Sequence, residues 1–271
     1  MSCPNATAPV NISKAIAGDC KLKCNYSFDY KTSSLQATNK GEYLKFVLDK
    51  QIEPPVVFNT EKYEVYEVMI FQPSLHTYGG KHVAAEIVIV HNSISGTSGL
   101  LVCIPVTATS NTKGLLDGLI NQVASKANTT GAEASIDLPT FSLSKIVPKA
   151  PYYNYQGTLP FVPCIGNYEY VVFDKDQSIN ITPAALVNLK KISTASSYDI
   201  HKPKDGLFYN SSGVSPIVSS DEIYIECNPT GHDGTVMIGK EKDAAGTSQT
   251  PEWLETAEKS LQAVLLLQTL S

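Results

Sequence analysis

Five histidines, His76, His82, His91, His201 and His232, are the imidazoles available for holding a metal or moving a proton. None precedes residue 76. His76, His82 and His91 would share a site only if the Tyr78-Gly79-Gly80 turn returned His82 to the face of His76, because alternate strand residues share a face. The better reading of His76 and His91 is structural: satisfied histidines within strands or at their ends. Cys20 and Cys24 stay free, pair locally or contribute to a metal site, and two cysteines do not fill a four-ligand centre. No nucleophile stands beside a recognisable base. No phosphate-binding loop occurs, and no two carboxylates have a spacing suited to acid–base work. No cofactor is expected.

The elements that must position these residues are mostly strands. Tyr63 to Phe71 reads as a half-buried strand, and Val83 to His91 is rich in β-branched residues. Leu100 to Val106, Tyr168 to Phe173 and Glu222 to Cys227 are further strand candidates, separated by turns rich in Gly, Pro, Asn and Ser. Three segments read as helices. Lys113 to Ala127 puts Leu115, Leu116, Leu119, Ile120 and Val123 on one face, with Asn111 or Thr112 as cap. Pro183 to Ile192 follows Thr182 as N-cap, with proline in the first turn, where its missing N–H costs nothing. Pro251 to Leu267 follows Thr250 in the same way. Residues 1–228 are therefore expected to form one β-rich domain. Residues 229–250 are expected to be a linker or surface loop, and 251–271 an amphipathic helix.

The chain has 271 residues, enough to bury a substantial core. Its net charge of −5 argues against nucleic acid, whose phosphates call for a basic excess. All 21 basic residues are lysines. Without arginine's planar fork, a dedicated polyanion site is disfavoured. The lysine clusters Lys21/Lys23, Lys190/Lys191 and Lys202/Lys204 remain as candidate ligand contacts, against the plainer reading of solvated surface charge. Asn5, Asn11, Asn25, Asn128, Asn180 and Asn210 each open an Asn-x-Ser/Thr sequon. Together with six cysteines they suggest an oxidising, extracellular or virion-surface setting. Met1-Ser2-Cys3-Pro4 has no signal-peptide character. No stretch approaches the roughly 20 apolar residues that span a bilayer, so membrane attachment would need an anchor absent from this chain.

Several segments carry a family resemblance in matching order. Ala8-Pro9-Val10-Asn11-Ile12, the strand after Asn39 (NKGEYLKFVL), His76-Thr77 and Ala85-Glu86-Ile87-Val88-Ile89-Val90-His91 are four of them. Tyr155 to Cys164 (YQGTLPFVPC), Tyr170 to Phe173 and the helical Ile181 to Ile192 follow. In this order, over residues 8 to 195, they resemble the alpha-class carbonic anhydrases. The resemblance implies a mostly β fold around a large, twisted, mostly antiparallel central sheet, with short helices on its surface. It also implies a Cys3–Cys164 disulfide, as in extracellular members.

The family's reaction needs zinc on three histidines, which lowers the pKa of bound water to about 7. The resemblance puts the ligand pair at Met69 and Phe71 and the third ligand at Val88. The hydroxyl that orients the attacking oxygen falls at Pro160 and its neighbour at Phe161. The glutamate behind it falls at Leu75, and the proton-shuttle histidine near Glu42. His76 and Glu86 match a pair that hydrogen-bonds inside the family's sheet. The expectation is a zinc-less, catalytically inactive relative, since Met, Phe and Val supply no imidazole. Zinc-less relatives include poxvirus envelope proteins that bind glycosaminoglycan and receptor-type ectodomains that bind proteins. A glycan or protein ligand on a cell surface is therefore the first functional expectation. A structural part of a larger assembly, such as a virus particle, is the second, with the 251–271 helix as a contact for homo-oligomers. An enzyme with other chemistry is the third.

Overall fold

The computed structural model describes residues 3–20, 24–96, 98–111 and 113–216. The chain divides into the units Met1–Ile217 and Val218–Ser271, and the described residues belong to the first. The expected Glu222–Cys227 strand, the 229–250 linker and the 251–271 helix lie outside the described residues.

The main elements in chain order are β1 (Leu35–Asn39), β2 (Tyr43–Leu48), β3 (Glu61–Phe71), β4 (Ala85–Ser93), β5 (Gly99–Thr107) and α1 (Leu115–Lys126). They continue with β6 (Glu133–Ile136), β7 (Tyr152–Gly157), β8 (Tyr168–Phe173), α2 (Pro183–Ile192) and β9 (Phe208–Asn210). One sheet carries them in the order β6-β1-β2-β3-β4-β5-β8-β7-β9. Every neighbour in that series is antiparallel except β5 and β8, which run parallel from Gly99↔Tyr168 to Cys103↔Val172. The architecture is thus mostly β, as the sequence predicts.

The β4 and β5 strands are buried almost throughout, which is why their sequences read as continuous apolar runs rather than alternating ones. Alternation still sorts their side chains into two cores. Ile70, Ile87, Ile89, Val102 and Ile104 pack with Leu116, Leu119, Ile120 and Val123 of α1. Met69, Phe71, Val88, Val90, Leu101 and Cys103 face the opposite side, with Tyr155 and Tyr170.

The α2 helix has the boundaries its sequence predicts. Thr182 Oγ1 accepts from the Ala185 amide at 3.1 Å, and Pro183 needs no partner for a first-turn N–H. The α1 cap is different from the expected Asn111, and Thr112 lies outside the described residues. Gly114 is the N-cap, and the buried Asp117 carboxylate accepts its amide at 3.0 Å. The same carboxylate accepts the Thr182 amide at 3.0 Å and the Thr182 hydroxyl at 2.5 Å. One acid therefore closes the start of both helices, a long-range partner that local cap rules do not contain. The expected strand start at Val83 moves to Ala85, because the Val83 amide donates to Ser74 Oγ instead of the ladder. The β7 strand was not among the expected strands. Tyr152 packs in one core and Tyr153 and Tyr155 in the other, so both faces of the strand carry a buried ring.

Candidate functional site

Register decides where the three ligand positions fall. Met69 on β3 is the partner of Val88 on β4, and Phe71 lies two residues along on the same face. The three positions therefore form one patch on adjacent strands, and all are buried, at 1%, 0% and 0% exposure. A thioether, a phenyl ring and an isopropyl group do not fit a zinc ion that takes imidazole, thiolate or carboxylate donors. Aromatic rings fill the space above. Phe71 stacks on Phe161 at 5.7 Å, tilts against Tyr43 at 5.1 Å and meets the edge of Tyr198 at 6.0 Å. Pro160, Phe161 and Leu75 are buried with them, while Glu42 is exposed on the β1–β2 turn. At the rim, Lys45 and Glu67 form an ion pair at 2.7 Å.

The Cys3–Cys164 disulfide holds the loop that carries Pro160 and Phe161 to the N-terminal segment. Cys20 pairs with Cys24, and Cys103 is a buried free thiol. Cys227 lies outside the described residues.

Two of the histidines sit on opposite faces of the sheet. His76 faces the aromatic patch: its Nδ1 meets Glu86 Oε1 at 2.6 Å, and its Nε2 meets the Tyr155 hydroxyl at 2.7 Å. His91 faces the other core. Its Nδ1 donates to the Leu100 carbonyl at 3.2 Å, leaving Nε2 to accept from the Tyr30 hydroxyl at 2.9 Å. His82 bonds the Ser74 carbonyl at 2.7 Å and belongs to neither cluster. No three-histidine site is assembled among the described residues.

Burial holds the His91 imidazole down at about 4, against an ordinary 6.5. The unfolded chain therefore takes up this proton at a higher pH than the folded chain. Stability is complete above 6.5 and falls as pH drops towards 4, by about 3 kcal/mol from this residue. Urea unfolding at pH 7 and pH 4 is expected to show that increment in the wild type and to lack it in His91→Gln. Equal acid losses in both proteins would remove His91 as the cause.

The lysine clusters separate. Lys190 and Lys191, in the last turn of α2, line a groove of about 1030 Å³, together with Gly41, His82, Thr129 and Ser193. Among the described residues no carboxylate lines it. Lys202 and Lys204 are exposed but do not line this groove, and Lys21 and Lys23 lie outside the described residues. The walls are fixed by Asn39, which is fully buried. Its amide nitrogen donates to the Ile192 carbonyl at 2.8 Å and the Ala127 carbonyl at 3.2 Å, joining the ends of α2 and α1 to the β1–β2 turn. Its Oδ1 accepts the Gly41 amide at 2.8 Å. Gly41 has φ +85°, and a Cβ there would lie 3.0 Å from Thr130 Oγ1, so two constraints ask for glycine.

Among the sequons, Asn5, Asn128 and Asn180 are exposed, and Asn128 borders the groove. Asn11 and Asn25 are half-buried. The Asn210 amide nitrogen donates to the Cys24 carbonyl at 2.7 Å and the Tyr152 hydroxyl at 2.9 Å, bonds that a glycan on that nitrogen would disturb.

A large mixed sheet with its central strands converging on one buried patch is the architecture of the alpha-carbonic anhydrases. The description "eukaryotic-type carbonic anhydrase" matches residues 3–205, and the chain belongs to that family. Alpha carbonic anhydrase 2 of Arabidopsis thaliana is 24% identical over 147 residues, which cover 54% of this chain and 58% of that protein. The chain thus matches little more than half the length of this relative. Among solved structures, a hyperthermostable carbonic anhydrase from an active hydrothermal vent chimney aligns with a TM-score of 0.64 at 17% identity, over 77% of this chain and 89% of that one. The alpha-carbonic anhydrase of Thermovibrio ammonificans, in complex with sulfanilamide, gives 0.64 at 20%, over 77% and 88%. Dioscorin complexed with ascorbate gives 0.63 at 17%, over 78% and 88%. At these identities the likeness is one of fold.

Tyr43, Tyr198 and Cys103 are the site residues that sequence reasoning did not single out. Tyr198 lies just beyond the stretch that carries the resemblance, and no local pattern marks a ring that packs on Phe71. Cys103 reads as one apolar residue in an apolar strand.

Proposed function

We propose that this chain uses the carbonic anhydrase scaffold for binding at a surface and does not hydrate carbon dioxide. The observation that carries the reading is the packed patch of Met69, Phe71 and Val88 under Phe161, where donors for zinc and room for its water would be needed. Pro160 adds to it, because a proline has no hydroxyl to orient an attacking oxygen.

The ligand is an anionic glycan held in the groove beside α2. Lys190, Lys191 and His82 supply cations or donors there, Thr129 and Ser193 supply hydroxyls, and among the described residues no carboxylate opposes them. Lysines in a last turn also offset the helix dipole, so their presence alone does not define a ligand site. Their position on a concave wall, beside hydroxyls and His82, supports the ligand. The disulfides and exposed sequons suit an extracellular or virion-surface setting.

Calorimetry against a sulfated oligosaccharide, with its desulfated form as control, tests the binding. Lys190→Glu/Lys191→Glu is expected to weaken binding about tenfold or more, equivalent to ~1.4 kcal/mol. Lys202→Glu/Lys204→Glu is expected to change it much less. Equal losses in the two variants would assign binding to general surface charge. Carbon dioxide hydration by the wild-type protein in the presence of zinc would sink the non-catalytic reading.

A further inference from the structure

Beside the filled patch, a second cluster lies sealed in the same core. His76 comes from the segment after β3, Glu86 from β4 and Cys103 from β5, and all three are fully buried. Each offers a ligand atom, and these atoms lie within 4.8 Å of one another. Glu86 is held in place by the His76 amide, which donates to Oε2 at 2.9 Å. Nearby is Tyr78, 4% exposed, whose hydroxyl has no hydrogen-bond partner among the described residues. A His–Glu pair that only tied two strands together would not need a thiol within reach of both. A buried hydroxyl left unpaired is destabilising, and in native structures such a group calls for an explanation.

We propose that His76, Glu86 and Cys103 hold a structural divalent transition-metal ion of the zinc or cobalt type. One nitrogen, one oxygen and one sulfur donor form the mixed set that such borderline ions accept. Zinc bonds of about 2.0–2.3 Å place tetrahedral donors roughly 3.3–3.8 Å from one another, so His76 Nδ1 and Glu86 Oε1, 2.6 Å apart without the ion, must part to admit it. Coordination through Nδ1 leaves the proton of His76 on Nε2, where it donates to the Tyr155 oxygen already 2.7 Å away. The Cys103 thiol gives up its proton to solvent as the site forms. A thiolate and a carboxylate then balance the two positive charges, and no net charge is buried. This position is distinct from the Met69, Phe71 and Val88 patch, although Cys103 is the β5 neighbour of Val88.

The test is to fold the full chain with cobalt(II) or zinc supplied, dialyse it and measure retained metal. The wild type is expected to retain stoichiometric metal, and its cobalt form to show a near-ultraviolet thiolate-to-metal charge-transfer band. Cys103→Ala is expected to lose both, and Cys227→Ser to keep both. A wild type that retains no metal, or a Cys103→Ala protein that keeps the metal and the band, overturns the proposal. If Cys103→Ala does not fold, X-ray absorption on the zinc-loaded wild type decides. A single sulfur among nitrogen and oxygen ligands supports the site. No sulfur, or two sulfurs as from Cys20 and Cys24, overturns it.

Discussion

Replacing Cys3 and Cys164 with alanine is expected to lower the stability of the folded domain by about 5 kcal/mol. The bridge spans 161 residues, so its loss frees a very long loop in the unfolded chain. The Cys20–Cys24 bridge spans only 4 residues, and the same chain-entropy relation gives about 2 kcal/mol for it. Denaturant unfolding of the two double variants measures the contrast directly. Equal losses would mean that native-state packing, and not loop length, governs both bridges. The long bridge also has a local effect. It anchors the loop bearing Pro160 and Phe161, so opening it loosens the ring that covers Phe71. Near-ultraviolet circular dichroism, which reads aromatic packing, is expected to weaken in the Cys3/Cys164 variant and to hold in the Cys20/Cys24 variant.

Phe71→Ala is expected to cost about 3–5 kcal/mol. The ring is fully buried and touches Tyr43, Phe161 and Tyr198, so its removal leaves a cavity bounded by three aromatic walls. Phe71→Leu keeps most of the volume and is expected to cost much less, which separates packing from any effect of the backbone. The same comparison bears on function. If groove binding is independent of the old active-site floor, Phe71→Leu leaves the affinity for a sulfated oligosaccharide unchanged. A tenfold loss in that variant would move the ligand site from the α2 groove to the aromatic patch.

What the sequence made legible was whatever rests on local signals. Thr182-Pro183 fixes the start of α2, and the Tyr168–Phe173 strand has the bounds its residues predict. The order of motifs from Ala8 to Ile192 carried the family, and Glu86 and His91 fixed the register that sets Val88 opposite Met69. What stayed hidden depends on partners far apart in the chain. Asp117 caps two helices at once through Thr182, and nothing near Asp117 announces it. The groove is assembled from the β1–β2 turn, the ends of both helices and the loop after β3. Only its lysines stand out as a charge cluster. The aromatic cover over Phe71 adds Tyr43 and Tyr198 to Phe161, and neither tyrosine stands out in its own segment. Of the buried trio, His76 and Glu86 were legible as a hydrogen-bonded pair, and they are one; only Cys103, from another strand, stayed hidden.

The single amide of Asn39 bears on how fast a ligand is captured. Because it joins both helix ends to the β1–β2 turn, the walls of the groove stand in their final places before anything arrives. Little freedom is then lost on docking, and no opening step comes first. For the proposed anionic ligand, encounter is then expected to be the slow event, governed by its attraction to the Lys190/Lys191 pair. Capture in such a groove quickens as salt is diluted, while the lifetime of the complex, once formed, depends much less on the ions around it.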